Sequence, residues 1–575
     1  MKLLEALQII SRSRNEPGKP FRLMLACGFT PLHLETFLEA HVASHGPLAA
    51  LTISHGFYGD LAGNLERCKL SEIDAAAVVV EWSDLDSRLG ARSAGGWDPS
   101  RLSDILQCVR IQFQRIDHAL SALAPQPIAV SLPTLPLPPV SYARPRQLSA
   151  FEAELHSEIA SFAVSLTASP HLRVLSAMEI DRRSPLHLRH DLKSELATGF
   201  PYSLGHADVM ARLLAGFIRP PARKKGLITD LDDTLWRGLL GEIGAAQVSW
   251  SIEGHAQIHG LYQQLLASLA ASGTLIGVAS KNDPALIEEA FARRDILLSA
   301  ERVFPIEAHW GTKSQSVGRI LETWNIGPES SVFVDDSPME LAEVQAVFPA
   351  LDCLLFPKDD PAKLWDFLYG LRDRFGVSQL QIEDGLRSDS LRSHAKFQSD
   401  LSSHSANLDI FLQRADAEIT FSHGKQADGR AFELLNKTNQ FNLNGERLTE
   451  SEWNSLLASD NGFVLKVAYK DRFGSLGTIA VLAGTHGGDS VTIDHWVMSC
   501  RAFSRRIEYR CLAWVFEHFS VGEIALRFIS TPRNGPMREF LETFLGSPPW
   551  KSLHISRAVF QDKCPVLHHS LMELV

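Results

Sequence analysis

The sequence contains no long apolar run and no convincing leader segment. None of its apolar stretches approaches the roughly 20 residues that a membrane-spanning helix needs. The first ten residues, Met1–Ile10, are short and charged, which favours an amphipathic helix over a signal peptide. We therefore expect a chain without a membrane partner that works in the cytoplasm.

Paired cysteines and surplus basic charge are also missing. The seven cysteines are scattered and form no Cys-x-x-Cys pair, so neither a zinc knuckle nor a disulfide framework is indicated. The formal net charge is −11, and nucleic acid is therefore not an expected partner. We therefore expect the protein to work in a reducing compartment. We expect its partner to be a small molecule or another protein.

What is present is an ordinary globular composition. The chain has 575 residues, of which 45% are hydrophobic and 21% charged. At about 150 residues per domain, this length predicts three or four domains. We expect a first domain over 1–220, a second over 221–375, a helical connector over 376–412 and a last domain over 413–575.

Residues 1–220 alternate apolar runs with segments of helical periodicity. Buried strands are predicted over 21–26, 49–53, 75–82 and 127–132, and helices over 32–44 and 101–124. This alternation is typical of a doubly wound parallel α/β sheet, of flavodoxin-like or SGNH-hydrolase-like type. Cys27 ends the first strand and is either a thiol nucleophile or a buried structural thiol. No recognisable histidine activates it, so we interpret this domain as a docking or scaffold element.

The stretch that carries the chemistry follows a short apolar run at 227–229. Asp230 and Asp232 come directly after it, two residues apart, and side chains at that spacing point to the same side of an extended chain. Parallel α/β sheets place their ligand sites at the carboxyl ends of strands. Two acids there are costly to bury unless a cation or a substrate charge compensates them. The pattern predicts a site for a metal ion and a phosphate.

Further polar residues follow the later strand-like runs of the same domain. Ser280 ends the run 274–279 and could donate to a phosphoryl oxygen, while Lys313 could neutralise a phosphate. Asp335 and Asp336 end the run 331–334 and form a second pair of acids. Thr234, close behind the first pair, could orient its loop.

In this order, these residues resemble the motifs of the haloacid-dehalogenase-like (HAD) phosphohydrolases. The resemblance implies a Rossmann-like domain in which Asp230 is the nucleophile and Asp232 the general acid and base. Thr234, Ser280 and Lys313 would then serve phosphate binding.

The same resemblance implies Mg²⁺ as the cofactor. Asp230, the backbone carbonyl of Asp232 and Asp336 would bind it directly, with Asp335 in support. Only about one helix fits after each of the first two motifs, over 256–271 and 284–298. We therefore expect a minimal cap and a site that is either open or covered by the neighbouring domains.

The last third of the sequence has a different order of predicted strands and helices. Strands are predicted over 463–467, 477–483 and 491–497, followed by a helix over 505–518 and a strand over 523–528. Strands, a helix and a further strand in this order suggest an α+β domain of acetyltransferase-like (GNAT) shape.

Several runs in the last two thirds resemble the FkbH-like family. They are Asp230–Trp236, Asn436–Leu443, Asp471–Gly474, Ser499–Arg501 and Thr531–Pro536. The resemblance implies a glyceryl transferase/phosphatase that removes the phosphates of 1,3-bisphosphoglycerate. It would pass the glyceryl group to an acyl carrier protein for polyketide-type biosynthesis.

The chain departs from that family at three places. Asp233 stands where Asn is common, Arg237 where Gly is common, and Ser504-Arg505-Arg506 where the family has Gly-Arg-Gly. The last change removes two flexible residues from a turn that a pantetheine chain could approach. Ordinary binding of coenzyme A is therefore not expected.

A thiol is needed if the acyl group is carried as a thioester. Cys500, which ends a strand-like run beside Arg501, is the first candidate for a catalytic thiol, and a small apolar filler is the other interpretation. Cys27 is the second candidate. Two other functions stay open: a stand-alone phosphatase of a small phosphorylated metabolite, and a non-catalytic scaffold, against which the complete motif set argues.

Overall fold

The structure, a computed structural model, describes residues 1–13, 20–45, 50–93, 97–377, 408–425, 429–438, 440–499, 502–548, 550 and 553–574. The described chain forms two compact units, 1–221 and 222–575. It is a mixed α/β protein with two parallel sheets and one mixed sheet. Most of the predicted connector 376–412 lies outside the described residues, and so does Cys500.

The first unit contains a parallel sheet in the order β2-β1-β3-β4-β5. Its strands are β1 (Pro20–Cys27), β2 (Ala50–His55), β3 (Ala75–Val79), β4 (Ile128–Ser131) and β5 (Leu172–Val174). Both faces of β3 and β4 are buried, which explains their unbroken apolar sequence. The expected doubly wound alternation is therefore found in this unit.

The helices of the first unit flank this sheet. They are α1 (Leu3–Ser13), α2 (Leu32–Ser44), α3 (Leu61–Arg67), α4 (Trp82–Leu85), α5 (Leu102–Ala122), α6 (Ala150–Thr167), α7 (Ala177–Arg183), α8 (Leu192–Thr198) and α9 (Leu204–Ile218). The strand predicted over 75–82 stops early, because the carboxylate of Asp84 accepts a hydrogen bond from the Glu81 N–H and starts α4.

The second parallel sheet opens the second unit and has the order β10-β9-β6-β7-β8. Its strands are β6 (Gly226–Thr229), β7 (Leu275–Ser280), β8 (Val303–Ala308), β9 (Ser331–Asp335) and β10 (Asp352–Leu355). Strand β6 lies between β9 and β7, so the segments that follow these three strands meet at one edge.

Short helices connect the strands of this sheet. They are α10 (Leu240–Ile243), α11 (Gln257–Ala271), α12 (Pro284–Phe291), α13 (Lys313–Trp324), α14 (Pro338–Val347) and α15 (Leu364–Phe375). The helix predicted over 284–298 ends at Phe291, well before the predicted boundary.

The mixed sheet has the order β17-β16-β15-β14-β13-β11-β18, with β12 paired to β15. Its strands are β11 (Glu418–His423), β12 (Phe441–Asn442), β13 (Gly462–Asp471), β14 (Gly474–Gly487), β15 (Ser490–Met498), β16 (Glu523–Leu526), β17 (His554–Ser556) and β18 (Ser570–Leu574). One edge of β15 pairs with β16 along 490–493 and with β12 at 497–498, so the sheet forks between these partners.

The helices that accompany the mixed sheet are α16 (Leu408–Gln413), α17 (Gly429–Lys437), α18 (Glu450–Ala458), α19 (Ile507–His518), α20 (Gly535–Leu545) and α21 (Arg557–Lys563). Helix α19 begins two residues later than predicted, because Arg506 has a left-handed backbone with φ 58°. Among the described residues, no helix is both long and apolar enough to cross a membrane.

Candidate active site

The centre of the site is a buried lysine surrounded by three acids. The Lys313 ammonium lies 2.5 Å from Asp230 Oδ1, 3.1 Å from Asp335 Oδ2 and 3.2 Å from Glu340 Oε2. It also donates to the carbonyl of Ala279 at 2.9 Å. Lys313 is the first residue of α13, and its side chain is only 2% exposed. One ammonium therefore compensates three carboxylates, two at neighbouring strand ends and one, that of Glu340, on α14.

Burial controls the protonation of this group. It raises the pKa of Asp230 to about 6, against the opposing charge of Lys313. Burial, together with the charge of Asp230, raises the pKa of Asp335 to about 8. Burial acts in the opposite sense on the pKa of Lys313, but the three carboxylates more than offset it and raise that pKa. The Lys313 side chain is therefore charged at neutral pH, and its charge compensates the three buried acids.

Asp336 faces a different set of partners. Its Oδ1 accepts a hydrogen bond from the Thr234 hydroxyl at 3.4 Å, and its Oδ2 lies 2.5 Å from the Lys358 ammonium. The two acids at the end of β9 thus have different partners: Asp335 shares Lys313 with Asp230, and Asp336 pairs with Thr234 and Lys358. Asp230, Thr234, Asp335 and Asp336 are brought to one edge of the sheet.

Asp232 is held by three donors. Its Oδ1 accepts from the Trp236 indole N–H and the Leu240 backbone N–H, both at 3.1 Å. Its Oδ2 accepts from the Asn282 amide at 3.0 Å, and the same amide donates to the Ser280 hydroxyl at 3.0 Å. Asn282 therefore joins Asp232 to Ser280, and the carboxylate is aimed in one direction.

The turn after these acids is held by Asp233. Its backbone is left-handed with φ 51°, a conformation that Asp and Asn tolerate better than most residues. Its Oδ1 accepts from the Gly238 N–H at 2.8 Å, and its Oδ2 lies 3.4 Å from the Lys358 ammonium. An Asn could make the first contact, but it would not supply the charge for the second.

Helix α11 supports the same loop from behind. His259 Nδ1 donates to the carbonyl of Thr234 at 2.9 Å, and the Gln263 amide donates to the carbonyl of Leu235 at 2.9 Å. The side chain of Trp236, which belongs to the same loop, is fully buried. The loop that carries Asp230 and Asp232 is therefore fixed by hydrogen bonds and packing on its buried side.

The arrangement suits a hard cation. Among the described residues, Asp230, Asp335 and Glu340 bring carboxylate oxygens within 4.8 Å of one another. Oxygen ligands of this kind are those that Mg²⁺ prefers. The Lys313 ammonium already lies among these three acids, and Lys358 pairs with the neighbouring Asp336.

Three residues of the site are missing from the sequence-based prediction. The sequence favours either Asn282 or Asp283 as a helix cap; Asp283 caps α12, and Asn282 binds Asp232. Glu340 gave only the weak signal of an acid one turn into the helix after Asp336. Lys358 follows β10, which is not among the predicted strands.

Of the two candidate thiols, the structure describes only Cys27. Cys500 lies outside the described residues, so its role stays a prediction. Cys27 is buried, its thiol donates to the carbonyl of Phe29 at 3.2 Å, and burial raises its pKa to about 12. A thiol with such a pKa is not a nucleophile at neutral pH, which agrees with the structural interpretation.

The turn at 504–506 keeps the backbone that glycines would adopt. Ser504 and Arg506 have φ values of 65° and 58°. The Arg506 guanidinium pairs with Asp409 at 2.5 Å and donates to the carbonyl of Val566 at 2.8 Å. Side chains therefore fill the space before α19 that two glycines would leave open.

Comparisons with known proteins support the fold. No family model matches the chain, and no curated protein is similar to it at a significant level. A solved structure does match: the N-terminal part of the protein BF1531 from Bacteroides fragilis, containing a phosphatase domain, in complex with Mg. The match has a TM-score of 0.54 at 18% identity and covers 66% of this chain and 100% of that chain. At this identity the likeness shows a shared fold alone.

Proposed function

We propose that the protein is a Mg²⁺-dependent phosphatase that works through an aspartyl-phosphate. The observation that carries this proposal is the placement of Asp230 at the end of β6, in contact with Lys313 and beside Asp232. A nucleophile, a fixed positive charge and a second acid thus converge at one strand end. This set of groups is what phosphoryl transfer requires of a protein.

The proposed chemistry has two steps. Asp230 attacks phosphorus, the bond from phosphorus to the leaving oxygen breaks, and Asp232 gives that oxygen a proton. Asp232 then takes a proton from water, which attacks phosphorus and releases inorganic phosphate from Asp230. Lys313 and Ser280 hold the phosphoryl oxygens as their negative charge grows.

Mg²⁺ would be held by Asp230, Asp336 and the backbone carbonyl of Asp232. When bound, it would neutralise phosphoryl charge during transfer. Asp335 would support this arrangement by keeping Lys313 in place.

The finer proposal is an FkbH-like glyceryl transferase/phosphatase. It would dephosphorylate 1,3-bisphosphoglycerate or a similar acyl phosphate and load the acyl group onto an acyl carrier protein. The sequence runs described above support it, and so does the fork beside β15, where a GNAT-like domain would receive a pantetheine arm. The first unit would then be a flavodoxin- or SGNH-like docking domain.

A stand-alone phosphatase of a small phosphorylated metabolite is the second candidate. The filled turn at 504–506 favours it, since Arg506 occupies the approach to α19. The low reactivity of Cys27 also leaves this chain one thiol fewer for acyl transfer.

Two measurements separate these functions. Phosphate release from acyl phosphates in the presence of Mg²⁺ should be lost in Asp230→Asn, and turnover that survives this change would refute the nucleophile. Intact mass of a carrier protein after incubation with 1,3-bisphosphoglycerate tests the finer proposal. Phosphate release with an unchanged carrier mass, unaffected by Cys500→Ala, would favour the second candidate.

A further inference from the structure

Lys358 is a cation of the site that the phosphatase motifs do not include. It follows β10, and its ammonium lies 2.5 Å from Asp336 Oδ2 and 3.4 Å from Asp233 Oδ2. The other oxygen of Asp336 accepts from the Thr234 hydroxyl. Both oxygens of the proposed metal ligand therefore have partners in this structure.

The main chain that carries Lys358 is anchored. The Phe356 N–H donates to the carbonyl of Asp335 at 2.9 Å, and the Phe356 side chain is 1% exposed. Its ring packs against His259 and Tyr262, each at a centroid distance of 5.2 Å. Any movement of the Lys358 ammonium must therefore come from its side chain, which has four rotatable bonds.

The two lysines of the site differ in how firmly they are held. Lys313 is enclosed by four oxygen partners and cannot leave without exposing buried charge. The Lys358 side chain is 31% exposed. An ion pair with that exposure is worth at most about 1 kcal/mol, so a divalent cation can break it.

We propose that Lys358 is a tethered counter-ion that takes the place of the metal at Asp336 and is displaced when Mg²⁺ binds. In the metal-free chain its ammonium compensates Asp336, whose carboxylate would otherwise repel Asp233 and Asp230. When Mg²⁺ takes Asp336, Asp233 remains as a second partner and keeps the ammonium near the site. Lys358 is thus a positioning residue, and this inference rests on the proposed function for the choice of Mg²⁺ and for Asp336 as its ligand.

Asp233 fits this role better than the residue it replaces. The turn requires a left-handed residue that accepts from the Gly238 N–H, and Asn would meet that need as well as Asp. A carboxylate at 233 gives the displaced Lys358 ammonium a second ion-pair partner. The departure from the family pattern at Asp233 is thereby explained by Lys358, which lies in the loop after β10.

Titration calorimetry with MgCl₂ and the full-length chain, without substrate, tests this inference. Because Mg²⁺ no longer displaces an ammonium or meets its repulsion, Lys358→Met should bind Mg²⁺ about fivefold more tightly than the unchanged chain. Lys358→Arg keeps the charge and should bind with nearly the original affinity.

Lys363→Met is the matched control. Lys363 pairs with Asp360 at 2.9 Å, its side chain is 74% exposed, and its removal takes away the same charge five residues along the chain. Its Mg²⁺ affinity should be unchanged. An equal gain in Lys363→Met would overturn the inference, since it would reflect net charge alone, and so would an unchanged or weaker affinity in Lys358→Met.

Asp336→Asn separates this inference from the proposed function. It should weaken Mg²⁺ binding at least about tenfold, because it removes a charged ligand. If the unchanged chain and Asp336→Asn both fail to bind Mg²⁺, the metal site and the role of Lys358 fall together. If Asp336→Asn weakens binding and Lys358→Met has no effect, only the role of Lys358 is refuted.

Discussion

Replacing Lys313 by Met should destabilise the central sheet, and the loss should depend on pH. The substitution keeps the length of the side chain but removes the one ammonium shared by Asp230, Asp335 and Glu340. Lys313 is 2% exposed, so the charges left behind are poorly solvated. Removing one partner of a buried ion pair costs about 3–5 kcal/mol, and we expect a loss of about 3 kcal/mol at pH 8 in metal-free buffer.

The pH dependence follows from the two raised pKa values, about 8 for Asp335 and about 6 for Asp230. Both lie above the ordinary value near 4, so the folded chain binds more protons than the unfolded chain between about pH 4 and pH 8. Stability therefore falls as the pH rises through that window. Without Lys313 the acids hold their protons more tightly still, so the loss caused by the substitution should be small near pH 5 and grow toward pH 8.

Hydrogen exchange of peptides that cover β6 and β9, with a chelator present, measures this local free energy. Lys281→Met is the matched control, because Lys281 pairs with the same Glu340 at 2.8 Å but is 40% exposed. It should cost at most about 1 kcal/mol. The reasoning is wrong if Lys313→Met costs no more than the control, or if its effect grows as the pH falls.

Three further predictions concern single side chains. Asp233→Asn should leave the melting temperature nearly unchanged, whereas Asp233→Ala should lower stability by about 1–2 kcal/mol because of the left-handed backbone; equal effects would contradict this. Asn282→Ala, which removes one of the three donors to Asp232, should lower kcat about tenfold or more with little change in KM, and an effect confined to KM would refute it. Arg505→Met leaves Asp471 buried without its 3.3 Å partner and should cost about 3 kcal/mol in chemical denaturation, an expectation that an unchanged midpoint would refute.

Much of the central sheet could be predicted from local pattern. The runs before Asp230, Ser280 and Asp335 are strands, and parallel strands bring their carboxyl ends together. Predicted boundaries are wrong where a side chain or a backbone angle interrupts the pattern. Asp84 starts a helix inside a predicted strand, and the positive φ of Arg506 delays another helix.

The sequence alone determined which residues follow β6, β7 and β9 of the central sheet, because burial of both faces imposes an apolar run that ends where the chain meets solvent. It could not determine which acid pairs with which base. That assignment joins side chains far apart in the chain, and only the tertiary structure places Lys313 among three acids and Lys358 beside Asp336. Compensation of buried charge is a property of distance and burial, and neither can be read from spacing along the chain.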